Sequence, residues 1–295
     1  MKLTERFKKG EFVITSEVGP MKGCIRNGEA PAFLKEAKSV AKHVHAVNVT
    51  DNQSAIMKLG SLAASVRLKN EGVEPIFQIT CRDRNRIALQ SDLLSACSLG
   101  IENVLCLTGD HIKLGDHQSA KPVFDIDSVQ LVAIARKLNT GYDMAGNTLV
   151  GATDLAIGAV VNPNFKPLDL QLIKMEKKAA AGAEFFQTQA VYDVSVFEKF
   201  MEKAQGFGVP IQYGVVIIKS PEMAKYMNEH VSGVNVPDSI IEEMASAPKE
   251  ARREKAIEIT ARLAVEIAPM VQGIHFMPLG WSDIVPDIIE RIGIA

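Results

Sequence analysis

Six polar side chains stand at or just past the ends of short apolar runs: Glu17, Thr50, Gln78, Asp110, Asn162 and Gln189. The plainest case is Val104-Leu105-Cys106-Leu107-Thr108-Gly109-Asp110, a run suited to a buried strand that stops on glycine and then aspartate. Carboxylates can act as general acids or bases, and a side-chain amide offers a donor and an acceptor together. Brought to one place, such a set could bind a polar ligand and move a proton. Each residue also has a plainer reading. Glu17 could be a solvated strand-end carboxylate, Asp110 the cap of a following helix, and Gln189 a buried amide bonded only to backbone.

The elements that would position these residues repeat along the chain. Apolar runs begin near residues 13, 43, 75, 103, 156, 185, 211 and 272, predicting eight strands. Between most of them apolar residues recur at three and four, as in Ile87, Leu89, Leu93, Leu94, Cys97 and Leu99, which is helical spacing. Helix starts are predicted after Asp51-Asn52 (55–66), Asp83 (87–98), Asp125 to Asp127 (129–138) and Pro167-Leu168-Asp169 (170–181). Stops fall at Gly72, Gly100, Gly141, Gly182 and Gly208. Most units are about 30 residues long, the size of a βα repeat. The intervals after the fourth and seventh strands are longer, and the second holds extra helices around 239–245 and 252–268. Eight such units predict a single-domain (β/α)8 TIM barrel over residues 1–295. A doubly wound nucleotide-binding sheet would advertise a G-x-G-x-x-G turn, and Glu17 to Gly23 is not one. In a barrel the six polar residues share the mouth at the C-terminal strand ends.

A chain of 295 residues, 47% hydrophobic, can bury one large core. Its formal charge of −2 provides no field for nucleic acid or an anionic membrane surface. Cys24, Cys81, Cys97 and Cys106 lack metal-clamping spacing, and the last three sit in apolar patterns, so they read as buried thiols. No apolar run is long enough for a membrane span, and a soluble protein of the reducing cytoplasm is expected. His43 and His45 alternate on a predicted strand without further metal ligands, and His111 and His117 read as solvated. No metal is expected.

The chain resembles the methylenetetrahydrofolate reductase family over nearly its full length. The segments that carry the resemblance are the Glu17 strand end, Val47-Asn48-Val49-Thr50, Gln78-Ile79-Thr80-Cys81, Leu107-Thr108-Gly109-Asp110, Ala181 to Glu184 leading into Thr188-Gln189, and His275-Phe276. The stretch from Gly10 to Pro20 is most similar to the short versions of acetogens and related anaerobes, and no C-terminal regulatory domain is expected. The resemblance implies FAD-dependent reduction of 5,10-methylenetetrahydrofolate to 5-methyltetrahydrofolate. It makes Glu17 the acid that protonates the leaving nitrogen, which requires a carboxyl kept protonated near neutral pH. It places Asp110 beside both flavin and pterin as an electrostatic tuner, and Gln189 on the pterin edge. Further FAD contacts are implied at Thr50, Gln78, Thr108, Gly109, Asp110, Asn162 and Lys166. Lys174, Lys177 and Lys178 would follow on the helix that lines the adenosine and phosphate side.

Several positions depart from the family pattern. Gln78 stands where many relatives carry histidine, Thr108 where they carry arginine, Asn162 where they carry tyrosine, and Lys166 where they carry histidine. Trp281 replaces an arginine expected near the folate tail and is expected to contact substrate. The loop Lys219-Ser220-Pro221-Glu222 lacks the aromatic on which nicotinamide-using relatives stack the dinucleotide. Electron delivery by a partner protein is therefore the expected alternative to direct use of NADH, and homo-oligomerisation remains open. A flavin-free lyase or aldolase would need a Schiff-base lysine, for which Lys219 is the one strand-end candidate.

Overall fold

Eight strands, β1 (Val13–Val18), β2 (Ala46–Val49), β3 (Pro75–Thr80), β4 (Asn103–Leu107), β5 (Ala156–Val161), β6 (Phe185–Ala190), β7 (Ile211–Val216) and β8 (Gly273–Met277), pair in parallel and close into a barrel, β8 against β1. This is the predicted (β/α)8 architecture, seen in a computed structural model that describes residues 1–26 and 30–293. The helices are α1 (Leu3–Lys8), α2 (Ala32–Val40), α3 (Ser61–Asn70), α4 (Arg86–Ser98), α5 (Ser128–Asn139), α6 (Leu168–Ala181), α7 (Val194–Ala204), α8 (Pro221–His230), α9 (Asp238–Ser246), α10 (Arg252–Ile267) and α11 (Val285–Ile292). Among the described residues no helix is long and apolar enough to cross a membrane.

Strand side chains alternate between the barrel interior and the helix layer, so residues two apart stack into interior layers. The lowest layer is apolar, with Val13, Ala46, Ile76, Leu105 and Phe185 forming a cluster of their own. Helix α1 closes this end: Leu3 belongs to the cluster, Phe7 packs on Phe185 at 6.0 Å, and the Leu3 amide donates to Asn103 Oδ1 at 2.8 Å. One step higher the interior is polar. Gln187 bonds Asn48 and Gln212, and its Nε2 also reaches Thr15 Oγ1, all in full burial. Burying amides is tolerated because they satisfy one another. This amide layer is the floor on which the mouth residues stand.

The local differences from the sequence reading have physical causes. The helix predicted over 55–66 begins instead at Ser61, because Asp51 does not cap it. The Asp51 carboxylate accepts the Thr80 amide and hydroxyl at 2.9 Å each and pairs with Arg84, while Asn52 turns into the left-handed region at φ 45°. Helix α4 is capped by the Asn85 side chain and not by Asp83, which is taken by Arg82. Helix α5 starts as predicted, with Asp127 and Gln130 forming a capping box. His43 and His45 lie before β2, not on a strand, and His45 Nδ1 accepts the Ile14 amide at 3.0 Å. Burial, and then Arg6, hold the His45 imidazole below its ordinary pKa.

Candidate active site

The barrel mouth holds a cavity of about 360 Å³, within the range of ligand pockets. Its floor is centred on Glu17 at the end of β1, a buried carboxylate. Gln78 of β3 donates from Nε2 to Glu17 Oε2 at 3.0 Å, and Gln53 Nε2 stands 3.5 Å from Oε1. From β8, His275 Nε2 lies 3.8 Å from Oε2, and its Nδ1 meets Thr15 Oγ1 at 3.0 Å. A carboxylate, an imidazole and two amides thus converge at one point. They can hold a proton there and pass hydrogen bonds to a ligand above.

The β4 end forms the next wall. Gly109 takes φ 91°, and a Cβ there would stand 3.1 Å from both the Arg82 and Thr80 Cβ atoms, so only glycine lets this loop sit against β3. Asp110 is exposed at the rim and caps no helix; its Oδ2 accepts the Ser54 amide at 3.0 Å. Arg82, 1% exposed, ties the two loops by donating to Asn52 O at 3.1 Å and Asp110 O at 3.3 Å while pairing with Asp83.

The opposite wall comes from β5, β6 and α6. The register between β6 and β7 shifts after Gln187, a bulge of the kind that re-aims side chains near functional sites. Gln189 follows that shift and lines the cavity, its Oε1 accepting the Ala190 amide at 2.9 Å. Asn162 also lines it, and Thr108 Oγ1 donates to Ser128 Oγ at 3.0 Å. Lys178 is the unusual member: 4% exposed, it donates to Val160 O at 2.7 Å. Burial, and then the charge of Lys174, bring its amine down to about 8.

The cavity therefore brings together Glu17, Gln78, Thr108, Gly109, Asp110, Asn162, Lys174, Lys178 and Gln189, as the sequence suggested. Four expected contacts do not line it. Lys166 and Lys177 are exposed beside it, and Thr50 is buried at the foot of the β2 loop. Trp281 turns away through the left-handed Leu279-Gly280 turn, φ 49° and 92°, and stacks between Lys219 Nζ at 5.3 Å and the Arg253 guanidinium at 5.0 Å. Lys219 itself donates to Leu279 O, outside the cavity. Sequence reasoning gave no role to Gln53, Arg82, Gln187 or His275. Each lies on or just after a strand, which is the signal that could have found it.

The residues of the cavity fit a phosphate-bearing cofactor. Thr108 and Asn162 line the polar cavity, and Lys174 and Lys178 face it from α6. A lysine pair beside neutral polar groups suits a ligand that carries phosphate.

A closed parallel barrel with a buried carboxylate and converging amides at its mouth defines a TIM-barrel protein with a polar pocket at the C-terminal strand ends. A profile of the methylenetetrahydrofolate reductase family matches residues 2–293, and the chain belongs to that family. Among curated relatives, methylenetetrahydrofolate reductase 1 of Schizosaccharomyces pombe is 26% identical over 235 residues, covering 75% of this chain and 36% of the relative. The 5,10-methylenetetrahydrofolate reductase of Pectobacterium carotovorum is 23% identical over 233 residues, covering 76% of this chain and 71% of the relative. The match thus spans about a third of the length of the yeast relative. Among solved structures, a protein of Clostridium thermocellum described as binding two copies of 5-methyl-5,6,7,8-tetrahydrofolic acid shares the fold. Its TM-score is 0.64 at 14% identity, over 98% of this chain and 97% of the other.

Proposed function

We propose that this chain reduces the methylene bridge of 5,10-methylenetetrahydrofolate to the N5-methyl group, with FAD held in the barrel mouth. The observation that carries the reading is Glu17, a buried carboxylate on the cavity floor contacted by Gln78 and faced by His275. In this reading Glu17 gives its proton to N10 as the bridge opens to an iminium at N5, and His275 stands where it can share that proton. Gln189 offers donor and acceptor to the pterin edge, and the Asp110 charge stabilises the cationic folate. Thr108, Gly109 and Asn162 would hold FAD, with Lys174 and Lys178 toward its phosphates. Held there in its reduced form, FAD would supply the hydride for the methylene carbon and be left oxidised. Lys166 and Lys177 are exposed and do not line the cavity, so the phosphate-side role is not extended to them. The C. thermocellum protein supports the folate assignment, since its ligand is the product named here.

The electron source is read as a partner protein. The segment Lys219 to Glu222 offers no aromatic face, and the Lys219 amine is engaged by Leu279 O. The test of the whole reading is an absorbance spectrum of the purified protein, followed by anaerobic addition of 5,10-methylenetetrahydrofolate to the reduced protein. Flavin bands that bleach on reduction and return with the folate are expected. A protein that neither takes up FAD nor binds 5-methyltetrahydrofolate would overturn it.

A further inference from the structure

The long excursion after β7 brings its α8–α9 connection (residues 231–237) to the ends of β5 and β6. Asn164 makes the join. Its Nδ2 donates to Ala190 O at the end of β6 and to Gly233 O in the connection, 2.9 Å each, and its backbone amide donates to Asn162 Oδ1 at 3.1 Å. Both hydrogens of the Asn164 side-chain amide are thereby used. The connection is fastened on its other side as well, where Asn228 and Val236 exchange two hydrogen bonds of 2.7 and 2.9 Å and Val234 and Val236 are buried. These ties hold it in place.

Gly233 is where the connection meets the cavity wall. At φ 77°, a Cβ on it would stand 1.7 Å from Asn162 Nδ2 and 2.7 Å from its Cγ, so the Asn162 carboxamide fills the space that a side chain at this position would need. Asn162 lines the cavity, and Gly233 does not. We propose that Gly233 is a positioning residue that acts through Asn162 and sets how much room the β5 side of the mouth leaves for its ligand. The inference rests on the reading of that mouth as the FAD site. A side chain at 233 would drive the Asn162 carboxamide off the connection; its oxygen side is held by the Asn164 amide, so the open direction is the cavity. The ligand would then meet a narrower mouth, although no ligand contact had been changed directly.

The test is a double-variant cycle on the full chain, read by flavin fluorescence as FAD is titrated. Gly233→Ala should weaken FAD binding by about 10-fold, the size expected of an overfilled contact. Asn162→Ala removes the carboxamide that would be displaced, so the variant carrying both changes should bind FAD as Asn162→Ala alone does, within a factor of about two. Left-handed backbone makes Gly233→Ala less stable whatever stands at 162, and thermal unfolding reads that loss separately. NMR of the unliganded chain with asparagine-selective labelling gives a readout that needs no ligand. The Asn162 side-chain amide signals, assigned by their loss in Asn162→Ala, should shift in Gly233→Ala. If Gly233→Ala alone does not fold, the double variant should fold and bind like Asn162→Ala, and its failure as well would overturn the proposal. So would wild-type FAD affinity in Gly233→Ala, an equal loss with and without the Asn162 side chain, or unmoved Asn162 amide signals. A wild-type chain that takes up no FAD would overturn the cofactor reading instead, and the NMR comparison would still decide whether Gly233 positions Asn162.

Discussion

Glu17 and His275 face each other across the floor of the barrel mouth, Oε2 to Nε2 3.8 Å apart, and Thr15 Oγ1 fixes the far side of the imidazole at 3.0 Å. The pair belongs to adjacent strands at the barrel seam, so closing β8 onto β1 is what assembles it. The amide layer below, Asn48, Gln187 and Gln212, holds Thr15 in place and so fixes the imidazole indirectly.

Asp110 sits within reach of both the cavity and the Ser54 amide. If its charge tunes a bound flavin, Asp110→Asn should raise the flavin midpoint potential and slow methylene reduction. Spectroelectrochemical titration checks this, and an unchanged potential would leave Asp110 the loop-holding role alone.

Lys178 gives a pH dependence with a definite sign. Its folded-state amine titrates at about 8, below the ordinary lysine value of 10.5, because burial disfavours the charge. Between those values the unfolded chain binds the extra proton, so stability rises with pH across that window, by about 3 kcal/mol in all. Lys178→Met should remove that rise, seen as denaturant unfolding at pH 7.5 and pH 10, and should weaken FAD binding by about 10-fold if the amine meets a phosphate. Unaltered FAD affinity would make Lys178 a purely structural lysine.

Gly109→Ala places a methyl against Arg82 and Thr80 in a left-handed backbone. A loss of about 1–3 kcal/mol is expected, with loss of cofactor binding, since the shift falls on the loop that carries Asp110. Chemical denaturation and a flavin-binding titration would read the two effects separately. A stable variant with normal binding would show that the loop can relocate.

NADH alone should reduce bound flavin slowly or not at all, because the β7 loop lacks an aromatic surface for a folded dinucleotide. Stopped-flow mixing tests this. Rapid, saturable bleaching at micromolar NADH would show another stacking residue and remove the need for a partner protein.

The cavity lining was legible in part because strands buried on both faces read as apolar runs, and polar residues toward the C-terminal end of each run fall at the mouth. Glu17, Gln78, Asp110 and Gln189 line the cavity from such positions, and their expected roles came from the family resemblance. Helix α1 was not legible, because six residues rich in Lys, Arg and Glu carry too little pattern; only the barrel's open lower end reveals that Leu3 and Phe7 are its plug. The 53–55 turn was hidden for a related reason. Asn-Gln-Ser-Ala contains no glycine to announce left-handed backbone, and what holds it comes from the β3 and β4 loops. Trp281 was misplaced because its direction depends on Leu279, a residue that rarely adopts positive φ.

The central claim, that Glu17 supplies the proton for methylene reduction, is tested most directly by single-turnover kinetics. Protein reduced in advance is mixed anaerobically with 5,10-methylenetetrahydrofolate, and the wild type is compared with Glu17→Gln. Removing a general acid should slow methyl formation by about 100-fold or more while flavin binding and its reduction remain nearly intact. Turnover within a few-fold of the wild type would contradict the assignment and place the acid elsewhere in the mouth.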